Sequence, residues 1–191
     1  MQIERRVREI LDSEAEAIKA VSINASYAKA VGFIENCKGK IITTGMGKAG
    51  FVAHKFAAIL SSTATPAVFI HPAEAAHGDL GTLAPGDCIV AFSTSGKTRE
   101  VIEFIQLSRR MNIGSVIGIT SHTDSGLREL SDVTINMGVI KEPCPLGMTP
   151  TASMAVMAAI GDALALVPVS YTHLRAHETK ANLVCRRLLE K

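Results

Sequence analysis

Hydroxyl side chains and a glycine crowd one short turn, residues 93–100, with the sequence STSGKTRE. The turn follows the apolar run 88–92, which is typical of a buried parallel strand, and precedes an amphipathic helical pattern. Free backbone N–H groups and the positive end of a helix favour an anion at such a turn. Neutral hydroxyls without a cluster of cations favour a small phosphorylated metabolite over a nucleic acid.

A second candidate segment, TTGMGKAG at 43–50, also follows an apolar run. Its glycines let the backbone approach a ligand closely, and Lys48 can bind an oxyanion or hold a sugar oxygen. The segment is neither a P-loop nor a full dinucleotide fingerprint, since the spacing Gly45-x-Gly47-x-x-Gly50 recurs by chance. No acidic residue ends the next predicted strand, which further disfavours a dinucleotide cofactor. A glycine turn with an exposed lysine is the alternative interpretation.

The third segment, HPAEAAHGDLG at 71–81, combines two histidines with two carboxylates. These groups can titrate near neutrality and move protons, although a polar surface loop is the alternative. His54, inside a helical pattern, and His122, in a polar turn, are interpreted as structural.

A proline-rich loop at 141–153 completes the set of candidate segments. Residues 149–153 are expected to cap the following helix, and the loop is also compatible with closing over a ligand. Cys144 lies between two prolines without a visible histidine partner, so a nucleophilic role is not favoured.

The elements that must position these segments alternate between strands and helices. Strands are predicted at 40–44, 66–70, 88–92, 115–120 and 133–137. Helices are predicted at 47–61, 73–79, 101–111, 124–130 and 151–166. Such βα alternation indicates a parallel sheet flanked by helices. Apolar residues from Ile3 to Ala28 predict one long N-terminal amphipathic helix, of a kind that often packs against a second subunit.

Composition excludes several classes of protein. The 191 residues are 47% hydrophobic and 20% charged, with a net charge of +2, which predicts one globular domain. Tryptophan is absent and no dense basic patch occurs, so we expect no nucleic-acid partner. We expect a cytoplasmic protein with no membrane span, because no apolar stretch approaches the length of a span and no signal-peptide pattern is present. The scattered cysteines lack metal-ligand spacing and are expected to be reduced.

Residues 168–191 depart from the pattern. Pro168 is expected to end the preceding helix, and residues 169–179 show no clear period. His173 and His177 have the spacing of a metal pair, but no third ligand is evident, so we expect no metal. The segment resembles the translated read-through of sequencing adapters. We therefore expect a native domain at 1–167 and a non-native tail at 168–191.

Together, five segments resemble the sugar isomerase (SIS) domain of bacterial arabinose-5-phosphate isomerases. In chain order they are GMGKAG at 45–50, STATP at 62–66, HPAEAAHGDLG at 71–81, STSGKTRE at 93–100 and CPLGMTPT at 144–151. The resemblance covers about residues 2–166 and implies a flavodoxin-like three-layer α/β/α sandwich with a five-stranded parallel sheet. It also implies a homo-oligomer, a dimer or tetramer, with active sites between subunits. The implied reaction interconverts D-ribulose 5-phosphate and D-arabinose 5-phosphate, the first step toward the Kdo sugar of lipopolysaccharide or capsule.

The resemblance, read with the chemistry of an enediol intermediate, implies a role for each site residue. Glu100 is the candidate base, although its carboxylate also suits the N-terminus of a helix. Lys48 would stabilise the enediolate or orient substrate oxygens, and His77 would assist ring opening or proton transfer. The substrate, and above all its phosphate, would be held by Gly45, Gly47, Ser93, Thr94, Ser95 and Thr98. No metal or nicotinamide is required, because no net redox change occurs.

Relatives in this family usually continue with a Ser-His-Pro-Gly-Gly segment whose histidine reaches the active site, and Asn182 falls near that position. We therefore expect this chain to bind ligand but to turn over slowly. The alternatives are an isomerase of another phosphosugar and a non-catalytic sugar-phosphate sensor. The 71–81 segment argues against the first, and the solitary, weakly basic N-terminal helix argues against the second.

Overall fold

Five parallel strands form the central sheet of the computed structural model, in the order β2–β1–β3–β4–β5. The structure describes residues 2–189, with the helical backbone alone over 171–189. The strands are β1 Ile41–Gly45, β2 Ala67–Phe69, β3 Cys88–Phe92, β4 Val116–Thr120 and β5 Val133–Asn136. Every strand predicted from the sequence is confirmed. Continuous apolar runs with β-branched residues suit β1, β3 and β4, which are buried along their whole length.

Two helices precede the first strand, and the other helices alternate with the strands. They are α1 Gln2–Lys19, α2 Ala25–Glu35, α3 Lys48–Ser62, α4 Pro72–Ala75, α5 Arg99–Arg109, α6 Gly126–Leu130 and α7 Ala152–Leu189. A 3-10 turn at Asp79–Thr82 follows α4. The predicted helices after β1 and β3, and the short helix after β4, are confirmed.

Two layers of helices cover the sheet, one on each face. Side chains alternate along β3, so that Val90 and Phe92 pack in the cluster with α2, α3 and α7. Ile89 and Ala91 face the opposite cluster, with α5 and α6. This period of two residues buries both faces of every central strand. The architecture is the expected three-layer α/β/α sandwich.

The N-terminal helix is long, as expected, but it ends at Lys19 instead of continuing through Ala28. Its continuation is a separate helix, α2, which begins after Asn24. The Asn24 side chain accepts a hydrogen bond from the Ser26 N–H at 2.9 Å, which caps α2. The residues before it include Val21 and Ile23, whose β-branched side chains weaken a helix. A single apolar period therefore spans two separate helices.

Pro168 lies inside α7, so the prediction that it ends the helix is wrong. A proline removes one N–H donor and strains the preceding turn, at a cost of about 3 kcal/mol. The turns before it are anchored in the core by Val156, Ile160 and Leu164, which are buried. A helix with this anchorage tolerates the loss of one hydrogen bond. His173, His177 and Asn182 belong to the stretch whose side chains lie outside the described residues.

One part of α7 meets the length and composition of a membrane span. The stretch Ala152–Ser170 has a mean hydropathy of 1.8, so the expectation that no stretch approaches a span is wrong. Of this stretch, 44% is buried inside the domain, where it packs against α3 and the sheet. A core helix has the same composition, so the stretch is weak evidence for a membrane.

An ion pair ties the beginnings of the two central strands together. The Asp87 carboxylate, whose side chain is 1% exposed, accepts a hydrogen bond from Lys40 Nζ at 2.7 Å. It also accepts the backbone N–H groups of Lys40 at 2.9 Å and Ala84 at 2.8 Å. Burial opposes the charge, but these donors outweigh it and hold the pKa of Asp87 below its usual range.

We expect Asp87→Asn to lower the free energy of unfolding at pH 7 by about 2–4 kcal/mol, because it leaves Lys40 without its carboxylate. Urea unfolding followed by circular dichroism measures this change. Asp124→Asn is the control, because Asp124 is exposed in the β4–α6 loop. Equal stabilities of the two variants would contradict the structural role of Asp87.

The stability difference between the original protein and Asp87→Asn should depend on pH with a defined sign. Because the folded-state pKa of Asp87 is depressed, its stabilisation is complete above about pH 5 and is lost as the pH falls through the folded-state pKa. The difference in unfolding free energy between the original protein and Asp87→Asn should therefore shrink in acid. A constant difference between pH 7 and pH 3 would contradict this linkage.

Candidate active site

The strand order creates a crevice between the carboxyl ends of β1 and β3. From β1 the chain goes to β2 on one side, whereas β3, β4 and β5 follow on the other side. Ligands of open α/β sheets bind at such a switch of direction. The register pairs Gly45 with Phe92, so the turns after β1 and β3 leave the sheet side by side.

The turn after β1 contains Gly45, Gly47 and Lys48. A Cβ atom on Gly45 would lie 3.0 Å from the Phe92 carbonyl oxygen and 2.9 Å from the Ala49 carbonyl oxygen. Gly45 therefore permits the close approach of the two turns. Gly47 has a φ of +58°, the left-handed region that favours glycine, and it directs the chain into α3. Lys48 is exposed as the first residue of α3.

The turn after β3, at residues 93–98 (the β3 turn), is held by hydrogen bonds of its own hydroxyl groups. Ser93 Oγ and Thr98 Oγ1 are hydrogen bonded at 2.8 Å across the turn. The Gly96 N–H reaches Ser93 Oγ at 3.1 Å, and the Lys97 N–H donates to Ser95 Oγ at 3.2 Å. Ser93 and Gly96 are buried, and Thr94 and Thr98 are partly buried. The hydroxyls that the sequence identified thus form one ordered turn.

Unused N–H donors surround the start of α5. The first turn of any helix leaves N–H groups without helical acceptors, and here they belong to Arg99, Glu100 and Val101. The Thr98 hydroxyl makes no cap bond to them. Among the described residues none accepts the Ser95 N–H either. An anion at this turn would therefore find free donors and the positive end of an eleven-residue helix.

Lys48 and Glu100 approach the crevice from opposite layers of the sandwich. Lys48 begins α3, which packs on one face of the sheet. Glu100 lies in the first turn of α5, which packs on the other face, and its side chain is partly exposed. Both residues lie at the carboxyl edge of the sheet. The two helices that begin beside the crevice thus carry a lysine and a glutamate in their first turns.

The histidine segment lies next to α5. Helix α4 packs against α5 through Ala75, which shares a cluster with Val101 and Phe104. His77 lies two residues after the end of α4 and is exposed. His71 precedes α4, and among the described atoms its buried Nδ1 has no hydrogen-bond partner. The 71–81 segment is therefore brought to the same edge as the β3 turn.

Three donors from the end of β4 converge on the Thr94 carbonyl oxygen. They are the Ser121 N–H at 3.0 Å, Thr120 Oγ1 at 3.0 Å and His122 Nδ1 at 3.0 Å. The sequence interpretation of His122 as structural did not connect it with this turn. The available signal was its place directly after a buried strand, where a parallel sheet collects ligand-binding residues.

The loop between β5 and α7 is held by Glu142. Its carboxylate accepts the N–H groups of Thr151 at 2.8 Å, Ala152 at 2.9 Å and Ser153 at 3.1 Å. Burial opposes the charge, but these donors lower the pKa of Glu142. The prediction that 149–153 cap α7 with their own side chains is wrong, because the cap comes from a carboxylate nine residues before Thr151.

The cysteines differ in reactivity. Burial raises the pKa of Cys88 to about 12, so this thiol is inert. Backbone hydrogen bonds from Thr149, Met148 and Leu146 lower the pKa of Cys144 in the β5–α7 loop. Within the described residues no group of three potential metal ligands occurs.

Fold and site together define a doubly wound α/β domain whose switch point adjoins the uncapped start of α5. A model of the SIS domain family matches residues 33–167, and the chain belongs to this family.

Several relatives sharpen this assignment. The chain is 40% identical over 161 residues to arabinose 5-phosphate isomerase KdsD of Shigella flexneri, covering 83% of this chain and 49% of the relative. It thus spans about half the length of the curated relatives that it matches. A Bacteroides fragilis protein assigned as a phosphosugar isomerase involved in capsule formation is 43% identical, with a TM-score of 0.86 over 91% of this chain and 92% of that chain. An Escherichia coli CFT073 protein solved in complex with arabinose 5-phosphate is 31% identical, with a TM-score of 0.86 over 90% of this chain and 92% of that chain.

Gly96 offers a direct test of the β3 turn. Its φ is +62°, and a Cβ atom there would overlap Ser125 and crowd Thr120 Oγ1 at 2.9 Å. We expect Gly96→Ala to lower the free energy of unfolding by about 1–3 kcal/mol and to weaken anion binding at the turn. Thermal unfolding and titration with inorganic phosphate measure the two effects.

Gly32→Ala is the matched control. Gly32 lies inside α2 with nothing within 4 Å of an added Cβ atom. Alanine there should raise the stability by about 0.5–1 kcal/mol, because it favours the helix. If Gly96→Ala behaved like Gly32→Ala, the β3 turn would not require this backbone geometry.

Proposed function

We propose that this chain is an aldose–ketose isomerase that interconverts D-ribulose 5-phosphate and D-arabinose 5-phosphate. One observation carries the proposal: the uncapped start of α5, with Glu100 in its first turn, follows β3 at the edge of the sheet where Lys48 begins α3 after β1. A phosphate site with an acid–base pair beside it is what a phosphosugar isomerase needs. The names of the curated relatives supply the sugar.

The β3 turn holds the phosphate in this proposal. Ser93, Ser95 and Thr98 supply hydroxyl groups, and the Thr94–Ser95 peptide and the first turn of α5 supply N–H groups. Most of these donors are neutral, so the affinity depends on geometry and the helix end more than on net charge. Gly45 and Gly47 leave space for the sugar to lie close to the backbone between the two turns.

Proton transfer between C1 and C2 requires a base next to the carbon chain. Glu100 carries this role, since it follows Thr98 of the proposed phosphate-binding turn by two residues and lies in the first turn of α5. Lys48 stabilises the enediolate that forms when the proton leaves. His77 assists ring opening or proton transfer from the neighbouring α4 segment. The reaction has no net redox change and proceeds without a metal or nicotinamide.

The wider setting is part of the same proposal. The activity belongs to the domain at 1–167, works in the cytoplasm and supplies D-arabinose 5-phosphate for the Kdo sugar of lipopolysaccharide or capsule. Support comes from the resemblance and from the relative that is involved in capsule formation.

Glu100→Gln tests the base. We expect turnover to fall by about 10²–10⁴-fold, while the Kd for D-arabinose 5-phosphate changes by less than about threefold, because glutamine keeps the shape and loses the base. Deuterium incorporation into the sugar from heavy water, followed by NMR, detects the enediol step even when turnover is slow. Calorimetry gives the binding constant.

Glu103→Gln is the matched control, because Glu103 lies one turn later on α5 and pairs with Arg99 on the surface. It should retain the rate of exchange. A chain that binds the sugar phosphate but exchanges no deuterium would be a sensor instead of an enzyme. Exchange with another pentose or hexose phosphate alone would identify a different isomerase.

We also propose that the chain forms a homo-oligomer through α1. Ile3, Val7 and Leu11 lie four residues apart on one face of this helix and are 79%, 52% and 52% exposed. An apolar stripe of this kind is costly in water and favours a second copy as its cover. Other positions of the helix carry the surface ion pairs Arg5–Glu9 and Arg8–Asp12.

Leu11→Asp should convert the oligomer to a smaller species, because it introduces a charge into the apolar stripe. Light scattering coupled to size-exclusion chromatography measures the mass. Glu16→Lys, a charge change outside the apolar stripe of α1, should leave the mass unchanged. A monomeric original protein would contradict the proposed oligomer.

A further inference from the structure

The Thr94 carbonyl oxygen in the β3 turn accepts several hydrogen bonds, and the proposed mechanism assigns it no role. We propose that His122 is a positioning residue, which with Thr120 holds this carbonyl so that the next N–H, that of Ser95, faces the phosphate. The inference rests on the proposed phosphate site and adds a residue to it from a different strand.

The contacts form a small network at the end of β4. His122 Nδ1 lies 3.0 Å from the Thr94 oxygen, and Thr120 Oγ1 donates to the same oxygen at 3.0 Å. The His122 N–H donates to Thr120 Oγ1 at 3.1 Å, which aligns the hydroxyl for its own bond. The Ser121 N–H completes the set at 3.0 Å. Residues at the end of β4 thus fix the Thr94–Ser95 peptide group in the turn after β3.

Because the peptide group is planar, the contact at the Thr94 carbonyl also determines the direction of the Ser95 N–H. In a trans peptide the carbonyl of one residue and the N–H of the next point in opposite directions. The Thr94 carbonyl is drawn toward β4, on one side of β3. The Ser95 N–H therefore points toward the other side, where β1 and the crevice lie. This N–H has no acceptor among the described residues, which leaves it free for a phosphate oxygen.

The chemistry of the contact specifies the form of His122. A carbonyl oxygen only accepts hydrogen bonds, so Nδ1 must carry a proton. An asparagine side chain places its N–H donor near the position of Nδ1, whereas glutamine places it one bond farther out. Asparagine can therefore replace the contact and glutamine cannot. The comparison of asparagine with glutamine therefore distinguishes a role of the His122 hydrogen bond from a role of the size of the side chain.

Steady-state kinetics with D-arabinose 5-phosphate, and inhibition by inorganic phosphate, test the proposal in four variants. In His122→Ala we expect KM and the inhibition constant of phosphate to rise together by about threefold to tenfold, with kcat within about twofold. His122→Asn should return both constants to within about twofold of the original protein, and His122→Gln should resemble His122→Ala. Thr123→Ala, a change of the exposed neighbouring residue, should alter neither constant.

Two outcomes would overturn the inference. One is a His122→Ala protein with unchanged constants, and the other is a loss that asparagine fails to rescue and that accompanies a lower urea midpoint. If the original protein shows no turnover, the proposed function fails by itself. Calorimetric titration with inorganic phosphate then tests the positioning role, with the same order of affinities expected for the four variants.

Discussion

The parallel pairing of β1 with β3 is the constraint on which the rest of this structure depends. At the amino end of the pair, the carboxylate of Asp87 joins the two strands through Lys40 and its N–H group. At the carboxyl end, the absence of a side chain on Gly45 lets the two turns lie against each other. Since the chain reverses its direction of winding between these strands, their ends frame the crevice in which we propose that a sugar phosphate binds.

The β3 turn divides its polar groups between two tasks. Hydroxyl groups of Ser93 and Thr98 bond to each other and close the turn. Carbonyl groups are satisfied from outside, because Thr94 accepts donors from the end of β4 and Gly96 accepts the Leu127 N–H from α6 at 3.0 Å. What is left over is mainly N–H groups, which are the donors that an anion needs. Pre-organised donors of this kind need little rearrangement when a charged ligand arrives.

Local sequence patterns predicted the strands and helices well, but predicted the ends and caps of the helices less well. The apolar runs identified the strands, most clearly β1, β3 and β4, because a strand buried on both faces must be apolar along its length. The same period misled at Ala28, since the cap at Asn24 splits one amphipathic pattern into two helices. At Pro168 the error is the opposite one, since the sequence predicts a helix end where the helix continues. Core packing of the preceding turns stabilises α7 despite the proline. Glu142 caps α7 across a loop, and no local rule connects a carboxylate to N–H groups so far along the chain.

By itself the sequence determined the order of strands and helices, the turn at 93–100 and the residue types on which the proposed acid–base site rests. These follow from side-chain period and turn chemistry, which act over a few residues. Only the tertiary structure decided the strand order in space, the position of Lys48 and Glu100 in opposite helical layers, and the contact of His122 with Thr94. The last pair is 28 residues apart in the chain, and its members meet because β3 and β4 are neighbours in the sheet.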